Sequence, residues 1–355
     1  MKITLDANRF LQAAIALEAE RAVGDSHFEE QLGDRIVPLP SSAERCLTPD
    51  LDLSILLPVW NPERQQFMRC LKALSEARLE RFSHEILVSD NASDSMVVKE
   101  CLDMSGLRNV RYVRQAVNIG GFPNFNHCLS LARGRWLHVQ SHDDWIEPGF
   151  YEALLGPEAQ ASGADLRFCR CRLKEEGAPS HRLMFDEAPQ PGLLADFMDR
   201  QLGNQRIQLV SAIVSRRAVE TVGGFDARLG AGADWEYWTR VGSQFGVFYH
   251  PGELATYVLH QASWSQREGN FEDAESFRKF RRILVRMLLS LPREKRRAGA
   301  TAFLVNMVQR LLSVALRNKR SGQLPRNRAV AEALLPASRD AGLLPEIELL
   351  LASLT

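Results

Sequence analysis

Between residues 51 and 141 the chain repeats one rhythm, and that rhythm admits few folds. Short apolar runs, LDLSILLPVWN (51–61), HEILVSDNASD (84–94), VRYVRQ (110–115) and RWLHVQS (135–141), recur with helix-like segments at 63–80 and 122–133. Apolar runs of this length suit strands buried on both faces, and strands alternating with helices build parallel βαβ units. In such sheets ligands gather at the carboxyl ends of the strands. Those ends carry this chain's polar clusters: PVWN, SDNASD and SHDD. Further strands are expected at ADLRFCRCRL (164–173) and within RIQLVSAIVS (206–215), and a helix over 233–245 with Asp234 in its first turn.

The 355 residues exceed one small domain. Residues 5–24 have helical apolar spacing and end in Gly24, and the Pro/Ser-rich stretch 33–50 reads as a linker. This gives an N-terminal helix and linker (1–50), an α/β domain (51–270) and a basic helical extension (271–355). The neutral total charge hides an asymmetry. Residues 278–328 hold fifteen Lys/Arg against one acid, Glu294, so the rest of the chain carries the matching negative excess. Six cysteines lack metal or CxxC spacing and read as reduced packing residues. No run is long and apolar enough to span a bilayer, and MKITLDANRF lacks a signal peptide's apolar region, so a cytoplasmic location is expected.

Neither GxxxxGK[ST] nor GxGxxG after the first strand is present, which removes support for a P-loop or dinucleotide site. The pair Asp143–Asp144, in HVQSHDDWIEPGF, follows the fourth apolar run. Taken alone, it reads first as a solvated turn. It also has the chemistry of a hard-cation site, because Mg²⁺ binds one or two carboxylates together with substrate phosphates.

The ordered set LSILLPVWN, ILVSDNASD, NIGGFPNFNHCLSLARGRW and VQSHDDWIEPGFYEAL resembles the family 2 glycosyltransferases, inverting enzymes of the GT-A fold. The resemblance spans about residues 52–265. It implies a mostly parallel α/β sheet flanked by helices and a nucleoside diphosphate sugar donor, with UDP the expected nucleotide. By the same resemblance Pro58, Trp60 and Asn61 contact the nucleotide, with the Trp60 indole near the base, and Asp90 bonds base or ribose. Asn118 and Asn126 shape the donor pocket. Each has a plainer reading as loop packing, turn cap or helix cap.

Asp143 takes the place of the family's metal-ligating carboxylate, with Mg²⁺ or Mn²⁺ as the implied cofactor, and Asp144 supports it or adds a contact. Ser141 and His142 stand where many relatives carry another acid. His142 is placed beside the donor, and His260, in YVLHQASWSQ, is placed to reach the metal or the diphosphate. GGFDARLGAGADWEYWTRVG (223–242) resembles the region of the general base; Ala233 replaces the first acid and Asp234 keeps the second, ahead of Asp226 and Glu236 as the base.

The basic stretch allows three uses: peripheral contact with anionic membrane, which suits a lipid-linked glycan acceptor; docking on the acidic body of the same chain; or a solvated helical face. No nucleic-acid module is present, and none is expected as a partner. The expected activity is metal-dependent inverting sugar transfer to a hydroxyl of a glycan or glycolipid, as in bacterial-type surface polysaccharide synthesis. The alternative, raised by the missing acids, is a non-catalytic nucleotide-sugar-binding or scaffold protein of a polysaccharide assembly complex.

Overall fold

The structure, a computed structural model, describes residues 37–39 and 50–260 together with Ile283, Arg286, Met287, Ser290 and Leu291. The helix expected over 5–24 and nearly all of the basic stretch 278–328 lie outside the described residues.

The expected βαβ run is present. It comprises β1 (Leu51–Val59), α1 (Arg64–Ser75), β2 (His84–Asp90), α2 (Val97–Ser105), β3 (Val110–Arg114), α3 (Gly121–Leu131) and β4 (Gly134–Val139). These four strands lie side by side in the order β3-β2-β1-β4, all parallel. Their apolar runs are continuous because both faces of the sheet are covered. In β1, Leu53, Ile55, Leu57 and Val59 enter one core, while Leu56 enters the core on the opposite face. Helix α1 forms because Phe67, Cys70, Leu71 and Leu74 fall on one face, and the Glu63 carboxylate caps its start by accepting from the Gln65 and Gln66 N–H groups.

The second half follows as β5 (Trp145–Ile146), α4 (Phe150–Leu155), α5 (Pro157–Ala161), β6 (Leu166–Glu175), β7 (Arg182–Leu183), β8 (Gly192–Leu193), α6 (Phe197–Gly203), β9 (Ala212–Ser215), α7 (Arg216–Val222), α8 (Ala233–Gly242) and β10 (Val247–Leu259). The sheet continues as β4-β9-β6-β10-β5, with β7 on β6 and β8 on β10. Strand β9 runs antiparallel to both β4 and β6, so the sheet is mixed but mostly parallel. Of the run expected over 206–215, only Ala212–Ser215 is strand. Leu209–Ser211 forms a 3₁₀ turn, and the Val210 carbonyl faces the buried His138 Nε2 at 3.0 Å instead of joining the ladder.

The antiparallel turn of β9 positions the site. With His138 opposite Ile213, the segment entering β9 lies at the carboxyl end of β4, beside residues 140–144. Helix α8 packs on α6 and on the same core, and Ile283, Met287 and Leu291 from the C-terminal stretch are buried in it too. The described part of that stretch is thus built into the α/β core.

Candidate active site

The crevice opens at Pro58. Leu56 accepts from the Gln140 N–H, and the β1–β4 ladder ends there. Residues two apart in a strand direct their backbone groups to the same side, so Pro58 faces the side that β4 has already left. Its missing N–H forfeits no ladder bond. The chain order reverses between β1 and β4, and α/β sheets bind ligands at that reversal.

On the β1–β2 side the expected nucleotide residues are gathered. Trp60 is 45% exposed, an open indole at the rim. Asn61 has φ 44° and clasps the next loop: its N–H donates to Ser93 Oγ, its amide donates to Asp94 at 2.6 Å, and its Oδ1 accepts from the Asp94 N–H. Asp90 is buried at the end of β2 and accepts from Tyr112 Oη at 2.7 Å, from Arg114 and from the Ser93 N–H. Burial pushes its carboxyl up, but Ser93, Tyr112 and the Arg114 charge outweigh that and hold it below the usual range. Asn118 accepts from the Asn91 amide at 2.8 Å and from the Gly120 N–H, which folds the 118–120 turn against β2. Asn91 also accepts from the Ile119 N–H.

At the end of β4 the two acids part. Asp143 is half-buried, and its Oδ2 lies 2.8 Å from His260 Nε2 at the end of β10. Burial raises its carboxyl, yet the His260 hydrogen bond and the nearby His142 leave it below the ordinary value. His142 is half-buried beside it. Asp144 is turned inward and buried, and its Oδ1 accepts from the Val258 N–H at 2.8 Å. Burial and the charge of Asp143 drive the Asp144 carboxyl well up. Asp144 thus ties the turn to β10, and Asp143 with His260 faces the crevice side.

A hard divalent cation wants more oxygen than this pair offers. Among the described residues no cluster of three or more His, Cys, Asp or Glu could hold a metal. One carboxylate and one imidazole fit a cation whose remaining ligands are diphosphate oxygens and water, the usual habit of Mg²⁺.

The third group is Asp234, at the start of α8. It is nearly buried, and burial pushes its carboxyl up to about 7. Its Oδ2 accepts from Gln205 Nε2 at 2.5 Å and its Oδ1 from the Trp235 N–H. The neighbouring acids are engaged otherwise: Asp226 pairs with Arg228 and Arg286, and Glu236 with Arg240 and Arg286. Asp234 has no ion pair among the described residues. Gln205 lies on the segment leading into β9, whose first residues meet the carboxyl end of β4. Asn126, on α3, exchanges two hydrogen bonds with Phe225, at 2.8 and 2.7 Å, and so ties the segment leading to Asp234 to the donor half.

Sequence reading misses Gln205, because it lies 29 residues from Asp234 with nothing periodic between them. Asn91 and Ser93 were within reach of it, since an Asp-Asn-x-Ser cluster after a strand marks side chains that bond nearby backbone.

Residues 54–200 match the family described as Glycosyl transferase family 2. No curated protein matches the chain. Among solved structures, S. aureus TarS 1-349 is similar, with TM-score 0.61 at 13% identity over 82% of this chain and 83% of that one. The complex of TarS 1-349 with UDP-GlcNAc is similar at TM-score 0.63 and 14% identity, over 82% of this chain and 84% of that one. The complex with UDP gives TM-score 0.57 at 14% identity, over 84% and 86%. At such identities the likeness carries the fold alone. Residues 54–200, on a mostly parallel α/β sheet like that of TarS, thus carry a match to the family 2 glycosyltransferases.

Proposed function

We propose that the protein transfers a sugar, with inversion, from a UDP-linked donor to a hydroxyl of a glycan or glycolipid. One observation carries the reading: Asp234 is a buried carboxyl raised to about 7, without a cationic partner among the described residues, and bonded to Gln205 on the segment that leads into β9. A general base works best when its pKa lies near the working pH. The solved TarS complexes with UDP-GlcNAc and UDP add support for the donor class.

In this reading Trp60 stacks on the base and the β2-end loop around Asp90 shapes the nucleoside pocket. Asp143 and His260 would hold Mg²⁺ or Mn²⁺. A cation there, when bound, offsets negative charge on the departing diphosphate. Asp234 takes the proton of the acceptor hydroxyl as that oxygen bonds the anomeric carbon. The bond from that carbon to the diphosphate oxygen breaks on the opposite face, and the nucleoside diphosphate leaves. Asp144 keeps the 140–146 turn in place for Asp143 and takes no part in the chemistry. Among the described residues no helix is long and apolar enough to cross a membrane. Contact of the basic stretch 278–328 with anionic lipid, its buried Ile283, Arg286, Met287 and Leu291 apart, belongs to the same proposal, as the route to a lipid-linked acceptor.

The test is thermal stability with a panel of nucleotide sugars, each with and without Mn²⁺. A ligand that binds only the native state raises the midpoint. The expected result is a rise with a UDP-sugar that grows when Mn²⁺ is added, together with turnover. Binding without turnover across an acceptor panel would turn the reading toward a nucleotide-sugar-binding scaffold.

Gln205→Leu is expected to move the acidic limb of the kcat–pH profile upward. The lost hydrogen bond favours the ionised carboxylate; such a bond contributes about 1.5 kcal/mol, so the limb shifts by about one pH unit. The profile of the variant beside the wild type checks this, and an unmoved limb would take Gln205 out of the site.

A further inference from the structure

The segment 222–236 is gripped from outside the matched family region. From the C-terminal stretch, Arg286 is 5% exposed; its Nη1 lies 3.3 Å from Asp226 Oδ2 and its Nε 3.3 Å from Glu236 Oε1. Arg240, on α8, completes the network. Its Nε and Nη2 lie 2.8 and 2.9 Å from the two Glu236 oxygens, and it donates to the Val222 and Gly224 carbonyls. Asp226, Glu236 and Arg240 are 3%, 1% and 2% exposed, so the charges are held away from water. Ile283 stands on Gly232: a Cβ there would lie 2.1 Å from the Ile283 Cδ1. Asp226 and Glu236 flank Asp234 in sequence, one before the 3₁₀ turn Ala227–Gly232 and one inside α8.

Three cations face the two buried carboxylates: Arg228, half-exposed, on Asp226, Arg240 on Glu236, and Arg286 on both; without Arg286 each acid keeps one partner, but the link between them is lost. The position of Arg286 is peculiar within that set. It is the member from outside the sheet domain, and it alone joins Asp226 to Glu236. Between those two acids lies the turn that fixes where Asp234 enters α8. A shift of about 1 Å in a reacting group costs on the order of a hundredfold in rate.

We propose that Arg286 is a positioning residue for Asp234, and that Arg286 and Ile283 together belong to the catalytic apparatus as its buttress. The inference rests on Asp234 being the base. Arg286 touches neither donor nor acceptor; it sets the geometry of the 226–236 segment that carries the carboxylate.

The test uses the full chain with Arg286→Gln and Arg286→Lys, beside Asp234→Asn. UDP binding is measured by calorimetry with Mn²⁺, turnover as release of UDP from UDP-GlcNAc, and backbone mobility as hydrogen exchange over 226–236. Arg286→Gln is expected to lower kcat at least about tenfold, leave UDP affinity within about twofold, and speed exchange over 226–236 but not over 51–131. Arg286→Lys keeps the charge and is expected to recover most of the loss. If Arg286→Gln does not fold, Ile283→Ala tests the same buttress without stranding a charge, with kcat down by about threefold or more at unchanged UDP affinity. Wild-type exchange and turnover in the folded variants would overturn the inference, and so would a loss of UDP affinity in step with turnover. An active Asp234→Asn would instead overturn the choice of base, leaving the exchange over 226–236 to judge the buttress by itself.

Discussion

Asp234→Asn is expected to fold, to bind the donor, and to lose sugar transfer by about 10² to 10⁴-fold, the usual contribution of a positioned general base. The asparagine keeps the shape, and its amide can still meet Gln205, but it cannot take a proton. The wild type is expected to gain activity as pH rises through about 7, where the buried carboxyl ionises. The same substitution has a signature in stability. The folded protein binds this proton more tightly than the unfolded chain, whose carboxyl sits near 3.8. Stability from this group is therefore complete at low pH and declines as pH rises from about 4 towards 7. The variant lacks the decline, so wild type and variant should be alike near pH 4. Near pH 8 the variant should be the more stable, by on the order of 3 kcal/mol. Thermal melts at the two pH values check this, and full activity in the variant would refute the assignment of the base.

Asp143→Asn is the second large effect. Without this carboxylate the Asp143–His260 pair keeps His260 alone among the described residues, because Asp144 is buried and committed to the Val258 N–H. Turnover is expected to fall at least about a hundredfold, since a cation at a departing diphosphate contributes several kcal/mol to the transition state. The extra midpoint rise that Mn²⁺ adds to a UDP-sugar should disappear, while UDP alone still binds through the nucleoside pocket. Asp144→Asn separates the two acids. It removes a buried carboxyl that Asp143 and burial hold well above its ordinary pKa, so the metal-dependent part of binding should survive. Loss of that part in Asp144→Asn, with none in Asp143→Asn, would reverse the roles of the pair.

The parallel half of the sheet is legible in the sequence because burial on both faces leaves no polar alternation to confuse it. Leu53 to Val59 and Ile86 to Asp90 are buried without interruption, and their ends are marked by Pro58 and by the Asp-Asn-x-Ser cluster. The antiparallel insertion of β9 is not legible, because four residues carry no directional signal; its orientation comes from contacts such as His138 with Val210, 72 residues apart. Strands of two residues, β5, β7 and β8, are invisible for the same reason. In the site, the resemblance to family 2 glycosyltransferases points to Asp90, Asp143 and Asp234. What surrounds them is long-range: Tyr112 and Arg114 on Asp90, His260 on Asp143, Gln205 on Asp234 and Arg286 on the acids beside it. Asn61 and Asn126 are placed at the donor by resemblance, and the structure shows both binding the protein's own loops.

The grip on residues 222–236 comes from both ends of the chain. Gly224 donates its N–H to the Val37 carbonyl at 2.8 Å, and at Gly223, with φ 79°, a Cβ would lie 1.9 Å from that same oxygen. The N-terminal stretch thus holds one end of the segment, and Ile283 and Arg286 hold the other. The family match ends at residue 200, before this segment begins. In the proposed reading, the nucleotide half and the segment that carries the base are therefore anchored by separate parts of the polypeptide, joined at Asn126 through its two hydrogen bonds to Phe225. Chimeras should follow the same seam: flanks exchanged together with 201–260 should travel as one unit, whereas 201–260 grafted without them would arrive with Asp226 and Glu236 lacking Arg286.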